Sequence, residues 1–228
     1  MATSYSPKIV TDGLIFHVDS ADRNSYPGSG TTWSDLTNNE NDVTLSGATF
    51  DSDFKGSFDF DGSNDVGETG SNIGISGTNS RTFDFWCNVH GDQQRNIVAM
   101  GVNSNSRLFE TMVYTGGGYL QAIGHYYGTG KDTLSTLPSR DTVNVNEWNH
   151  IVHMYDGSSA SIYTNGVFSN AKSLSLNTTD SVVRIGRNVY TPSNYFNGNI
   201  SSVKIYNKTL SASEVLQNYN ATKSRFGL

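Results

Sequence analysis

The stretch WNHIVHMYDGSSASIYTNGVFS, Trp148–Ser169, decides how the chain is read. Residues 150–155 and 160–164 are two short runs built from β-branched and aromatic side chains, with Asp156-Gly157 as a turn between them. Asn165-Gly166 then separates Ala160–Thr164 from Val167–Ser169. Both residues tolerate positive φ, so the spacing predicts a tight type I′ hairpin. His150 and His153 stand three apart on a strand, so they point to opposite faces and cannot jointly hold a metal.

The same alternation extends through the rest of the chain. Leu14, Phe16 and Val18 share one face, Phe58 and Phe60 flank Asp59, and Phe83, Phe85, Cys87 and Val89 form a further period-2 set. Segments 97–102, 108–114, 119–124, 182–187 and 200–206 are further strands, and Asp61-Gly62 and Asn197-Gly198 are turns. The Ser/Gly-rich stretch 67–80 reads as one long loop. Of 228 residues, 30 are Ser, 24 Asn, 22 Thr and 23 Gly, and 11% are aromatic. Such a chain is rich in turns, poor in helix formers and too aromatic to be disordered. The expected class is all-β, a two-sheet antiparallel β-sandwich.

One helix is expected, two to three turns long. Ser211-Ala212-Ser213-Glu214 is a capping box, and Val215, Leu216 and Tyr219 supply an apolar face. The expected organisation is an N-terminal segment 1–12, a domain 13–220 and a C-terminal tail 221–228. The net charge of −6 without a basic run argues against nucleic acid. No apolar run reaches the roughly 18 residues of a membrane span, and the N-terminus lacks the pattern of a secretory signal. Cys87 is the only cysteine, so no intramolecular disulfide forms, and its alternating segment marks it as buried and inert.

Several blocks, in order along the chain, resemble the concanavalin A-like, laminin-G-like jelly-roll family. They are GLIFHVD (13–19) with YPGSGTTWSDL (26–36), FDFDGSND (58–65), WNHIV (148–152), YDG (155–157) and IYTNG (162–166), then Ile185-Gly186, FNGNI (196–200), VKIYN (203–207) and Leu210-Ser211. The resemblance implies a jelly roll. The first block and the end NYNATKSRFGL (218–228) look like a narrower group, the laminin-G-like domains of bacteriophage structural proteins. That likeness implies a non-enzymatic virion component, whether decoration, fibre or tail, made in the host cytoplasm and exposed on the particle. Its partners would be other virion proteins or copies of itself. The alternative is a lectin-like adhesion module for host-surface or environmental polysaccharide, and a more distant one is a polysaccharide-cleaving enzyme.

Catalysis finds little support in the residues. Glycosidases need two carboxylates at about 5 Å or about 6.5–9.5 Å. Of the five glutamates, Glu40, Glu68, Glu110, Glu147 and Glu214, only Glu40 has a carboxylate two residues away, Asp42, in an Asn-rich stretch, and Asp61 of the Asp59/Asp61 pair belongs to a turn. Calcium takes six to eight oxygens. The loop acids Asp19, Asp22, Asp61 and Asp65 would supply them, but Ser201 and Ser202 stand where many family members carry acids, so no cofactor is expected. His17, His90 and His125 show no partners in the sequence.

Aromatic loop residues are the best binding candidates. Tyr114, Tyr119, Tyr126 and Tyr127 surround Gly116-Gly117-Gly118 and Gly124, and Tyr190 and Tyr195 flank Pro192. Three readings stand side by side for them: ordinary edge or core tyrosines, a protein interface, or a platform on which sugar rings stack. The tail 221–228 carries Lys223, Arg225, Phe226 and Leu228. Its two cations suit an acidic partner surface, so with residues 1–12 it is either an assembly contact or a segment docked on its own domain.

Overall fold

The computed structural model describes residues 7–91, 94–116, 119–128, 134–135, 143–190 and 194–228. The first half of the chain forms β1 (Leu14–Asp19), β2 (Thr32–Trp33), β3 (Val43–Ser46), β4 (Thr49–Asp51), β5 (Ser57–Asp61), β6 (Val66–Thr69), β7 (Arg81–Val89) and β8 (Arg95–Gly101). The second half forms β9 (Leu108–Gly116), β10 (Tyr119–His125), β11 (Leu134–Ser135), β12 (Trp148–Tyr155), β13 (Ser159–Thr164), β14 (Val167–Ser173), β15 (Arg184–Ile185) and β16 (Asn197–Tyr206). Helix α1 (Ala212–Thr222) and a 3-10 turn (Lys223–Phe226) close it.

Two antiparallel sheets result. The first runs β14-β13-β12-β7-β16-β5-β4, with β1 also on β16. The second runs β11-β10-β9-β8-β15-β6-β3-β2. Long β16 changes partner along one edge: Asn197–Ile200 face β5, and Ser202–Tyr206 face β1. A register shift between Ile200 and Ser202 marks the change. Ser201 sits there, its carbonyl accepting from the Ser20 amide and hydroxyl while its own hydroxyl donates to the Gly56 carbonyl.

The apolar sets expected to share faces meet between the sheets. Phe16, Val18, Phe58, Phe60, Phe83, Phe85 and Cys87 pack there against Val98, Met100, Phe109 and Val113 of the second sheet. Cys87 is free and fully buried, and burial pushes its thiol pKa up. Asn165 and Gly166 have φ of 51° and 78°, and Thr164 pairs with Val167 across them, as the hairpin reading requires.

Three expectations need correction. Stretch 67–80 is not all loop, because its first three residues complete β6 between β3 and β15; the glycine at 67 accommodates the close packing of Val43, Leu45 and Ile185. Leu216 faces outward at 47% exposure, and Asn218 instead is fully buried. The boundaries at 12/13 and 220/221 separate nothing physical. Val10 is buried against the helix, and α1 runs to Thr222 and on into the 3-10 turn.

α1 covers the outer face of the first sheet, which is why β7 is buried on both sides. Its capping box forms: the Ser211 hydroxyl accepts from the Glu214 amide, and the Glu214 carboxylate accepts from the Ser211 amide. Beneath it, Asn218 donates to Asp84 at 2.7 Å and accepts from the Val10 amide at 2.8 Å. Lys204 and His150 bond the other Asp84 oxygen at 3.2 and 3.1 Å. Burial opposes ionisation of Asp84, yet Lys204 and His150, with hydrogen bonds from His150 and Asn218, hold its carboxyl well below the usual range. An ion pair this deep fixes position more than it adds stability.

Candidate functional site

Strand pairing lays one row of side chains across the second sheet. His125 of β10 stands opposite Glu110 of β9, Glu110 opposite Ala99 of β8, Ala99 opposite Arg184 of β15, and Arg184 opposite Glu68 of β6. Phe109 and Val113 enter the core, so Glu110 and Met112 point the other way, onto the outer face. His153 and Thr111 lie inside the sandwich, bonded to each other at 2.9 Å, while His150 points to α1; the two histidines do face opposite ways.

The Glu110 side chain is only 2% exposed. One carboxylate oxygen sits 2.6 Å from Nδ1 of His125, and the other has no hydrogen-bond partner. Asn96, on the neighbouring strand and equally buried, has an unpartnered side-chain nitrogen. Tyr190, 42% exposed, lies near this carboxylate, and Tyr127, 43% exposed, lies near Tyr190. Burial raises the Tyr190 hydroxyl pKa, the nearby Glu110 carboxylate and Tyr127 raise it further, and a hydrogen bond from Asn188 pulls it back. Further along the row, Arg184 Nε pairs with Glu68 at 2.7 Å and Arg187 approaches it at 3.7 Å.

The four tyrosines expected to act together are therefore divided. Tyr114 lies on the outer face, opposite Gln121, and Tyr127 turns out at a positive φ of 52°. Tyr126 is a correction: it is fully buried, and its hydroxyl bonds His153 Nε2 at 2.6 Å inside the sandwich. Tyr119 pairs with Gly116, and its side chain lies outside the described residues, as do Gly117, Gly118 and Pro192. Glu110 and His125 were missed as a pair. Their signal was present, because a hairpin pairing Gly116 with Tyr119 necessarily sets 110 against 125.

The tail is docked on its own domain. Phe226 is buried, stacking on Trp86 at 4.3 Å and packing on Trp148 at 4.5 Å. Arg225 donates to the Phe54 and Gly56 carbonyls, to Asp19 and to the Ser201 hydroxyl. Lys223 lies over the Tyr219 ring, and Leu228 alone of the four is exposed, at 50%. Arg225 and Phe226 are thus structural, and the assembly reading does not hold for them.

Nor do the loop acids form one ligand set. Asp19 is paired with Arg225, and Asp22 accepts from Asn24. Asp61 caps the Ser63 amide, and buried Asp65 accepts from the Asp61 amide. Among the described residues no three His, Cys, Asp or Glu side chains gather as a metal site. An open recess of about 580 Å³ beside Arg225 mixes Asp19 and Asp22 with Arg23 and Lys55, charges that offset one another. Among the described residues no helix is long and apolar enough to cross a membrane.

The family model of the concanavalin A-like lectin/glucanases superfamily, laminin-G type, matches residues 61–216. The chain belongs to this superfamily. Solved structures agree on the jelly roll. Domain 4 of the extracellular arabinanase AbnA of Geobacillus stearothermophilus, solved with arabinotriose, superposes with a TM-score of 0.67 at 15% identity, over 90% of this chain and 98% of that one. The binding domain of Paraclostridial Mosquitocidal Protein 1 gives 0.70 at 16% identity, over 92% of this chain and 52% of that one. A Trypanosoma rangeli sialidase gives 0.68 at 13%, over 95% and 34%. This lectin-like jelly roll thus spans nearly all of the arabinanase domain, half of the toxin chain and a third of the sialidase. At such identities the likeness is one of fold. No curated protein sequence matches the chain.

Proposed function

We propose that this jelly roll is a non-catalytic glycan-recognition module carried on a bacteriophage virion protein. The observation that carries the recognition reading is the pair of half-exposed rings Tyr190 and Tyr127 near the Glu110–His125 pair. Aromatic rings offer stacking surfaces to the C–H faces of sugars, and the partly exposed His125 ring, held by Glu110, offers a polar group beside them. The arabinotriose complex of the similar arabinanase domain supports the reading. The virion assignment rests on the likeness of residues 13–36 and 218–228 to phage structural domains, and locating the chain in purified particles tests it. An adhesion module outside a virion would use the same site.

Spacing supports the non-catalytic reading. Glu110 and Glu68, the glutamates of the row, stand three strands apart, about 14 Å at the usual strand separation. Glycosidic carboxylates sit at about 5–9.5 Å. Incubation with glucans, galactans and alginates is expected to release no reducing ends. For binding, single sugar contacts are weak, so the domain is displayed as a multimer on a glycan array. Tyr127→Ala and Tyr190→Ala should each lower the signal at least ten-fold, and unchanged binding in both would misplace the site.

A further inference from the structure

We propose that the recess beside Arg225 is a second binding site, one for an acidic sugar. It lies where the end of β1, the turn Asp53–Lys55 and the C-terminal 3-10 turn meet, and its volume of about 580 Å³ is open to solvent. That volume falls within the usual range of small-ligand sites. Tyr127 and Tyr190 follow β10 and β15 of the other sheet, so this site stands apart from them and does not rest on them. Arg225 brings its lining to three cations, with Arg23 and Lys55, against two acids, Asp19 and Asp22. Arg225 is already matched by Asp19 at 2.6 Å, and Asp22 turns one oxygen to the amide and side chain of Asn24. Arg23 and Lys55 are exposed, and among the described residues neither is paired with a carboxylate. On a chain of net charge −6, this concave surface therefore turns two uncommitted cations to solvent.

The backbone that presents Lys55 is held in a form that side-chain-bearing residues avoid. Phe54 and Lys55 follow one another at φ of 52° and 71°. Arg225 clamps the turn by donating to the Phe54 carbonyl at 2.7 Å, and the Ser20 and Ser201 hydroxyls donate to the Gly56 carbonyl at 2.7 and 2.9 Å. Strain of this kind persists where the surroundings over-determine it, and it gathers at binding sites. Here the clamp fixes the point at which Lys55 leaves the chain to line the recess. The planar fork of an arginine takes a carboxylate or sulfate through two parallel bonds, and a lysine adds a point charge. Apart from Ala21 and Ala221 the lining is polar, with hydroxyl-bearing Thr222 and Ser224 on one side. A sugar that carries a carboxylate or sulfate joins the anion these cations can take to hydroxyls that suit a wet, polar wall.

The test is a titration of the isotope-labelled chain, followed by amide NMR shifts, with oligogalacturonate, sulfated galactan oligosaccharides, neutral galactan oligosaccharides and inorganic phosphate. At least one of the two acidic oligosaccharides should give saturable shifts at Ala21–Arg23, Lys55 and Ala221–Arg225, at least ten-fold tighter than the neutral one and several-fold weaker as salt is raised. Arg23→Gln combined with Lys55→Asn should weaken that binding ten-fold or more; both side chains are exposed, and asparagine tolerates the positive φ at 55. Absence of shifts at the recess with both acidic sugars overturns the inference and needs no variant. Equal binding of the neutral sugar overturns it, as does unchanged affinity in the folded double variant. Phosphate that binds there as tightly as the sugars would mark a site for a free anion and overturn the sugar assignment. Shifts confined to the surroundings of Tyr127 and Tyr190 would overturn this inference while supporting the function proposed above, so the two readings fail separately.

Discussion

A methyl group at Gly124 would sit 2.6 Å from His153 Nε2 and closer still to the Tyr126 hydroxyl, so one of two fully buried rings would have to move. The bond between those rings satisfies the inner side of His153, and Thr111 satisfies the other ring nitrogen. Gly124→Ala should therefore destabilise the fold by about 1–3 kcal/mol, the usual cost of overpacking. A melting temperature several degrees lower checks this, and an unchanged one would show that the pair can slide. Tyr126 shows why this scale is hard to read from sequence. It and Tyr127 are adjacent and chemically alike, and only the inward turn of the chain after β10 makes one a core residue and the other a surface ring.

At the scale of elements, the C-terminal segment behaves as a strap rather than a tail. Phe226 fills an aromatic nest made by Trp86 and Trp148, with Phe54 beside it, and Trp86 Nε1 donates to Thr222 at 2.8 Å. Arg225 ties the strap to Asp19 and to backbone carbonyls near Gly56. Removing residues 222–228 would expose two tryptophans and leave Asp19 without its cation. Truncating a buried Phe costs about 3–5 kcal/mol, and each kcal/mol shifts a chain of this size by about 2–4 °C. The truncated protein should melt roughly 10 °C lower. A melt unchanged by the deletion would return the segment to the role of a free assembly contact. The helix start was legible because a capping box is local in sequence. The strap was not, because partners such as Trp86 and Asp19 lie 136 and 206 residues away.

For the whole molecule, acid is the informative stress. Burial, then the Arg81 charge, lowers the His153 pKa to about 3, and burial followed by Lys204 lowers that of His17 to about 4. Both values lie below the 6.5 of an unfolded histidine. Protons therefore bind the unfolded chain first, and stability falls as pH drops from about 6.5 toward 3–4. Asp84, whose folded pKa is depressed, adds a loss only below about pH 4. Urea midpoints should decline between pH 7 and 4.5, before the carboxylates titrate, whereas a flat profile there would mean these histidines open to water without unfolding. Calcium should matter little, because Asp19 is neutralised by Arg225 and the other loop acids cap their own turns. Melts in EDTA and in excess calcium are expected to agree within a few degrees, and a large gap would show that the loop acids do converge on an ion.

What the sequence by itself determined was local or periodic: which faces of Phe83–Val89 and Phe58–Phe60 are apolar, the Asn165-Gly166 hairpin, the Ser211 cap, the isolation of Cys87, and the jelly roll that these blocks resemble. These depend on neighbours within a few residues, where strand parity and turn stereochemistry act. Only the tertiary structure decided what depends on pairing between distant strands. It set Glu110 against His125, left the Glu110 and Asn96 atoms unpartnered on one face, drew Asp84, Lys204, His150 and Asn218 together, and folded Phe226 under Trp86. The physical reason is that one residue of register shift turns every side chain of a strand to the opposite face. A site built across five strands exists only once all of their registers have been set together.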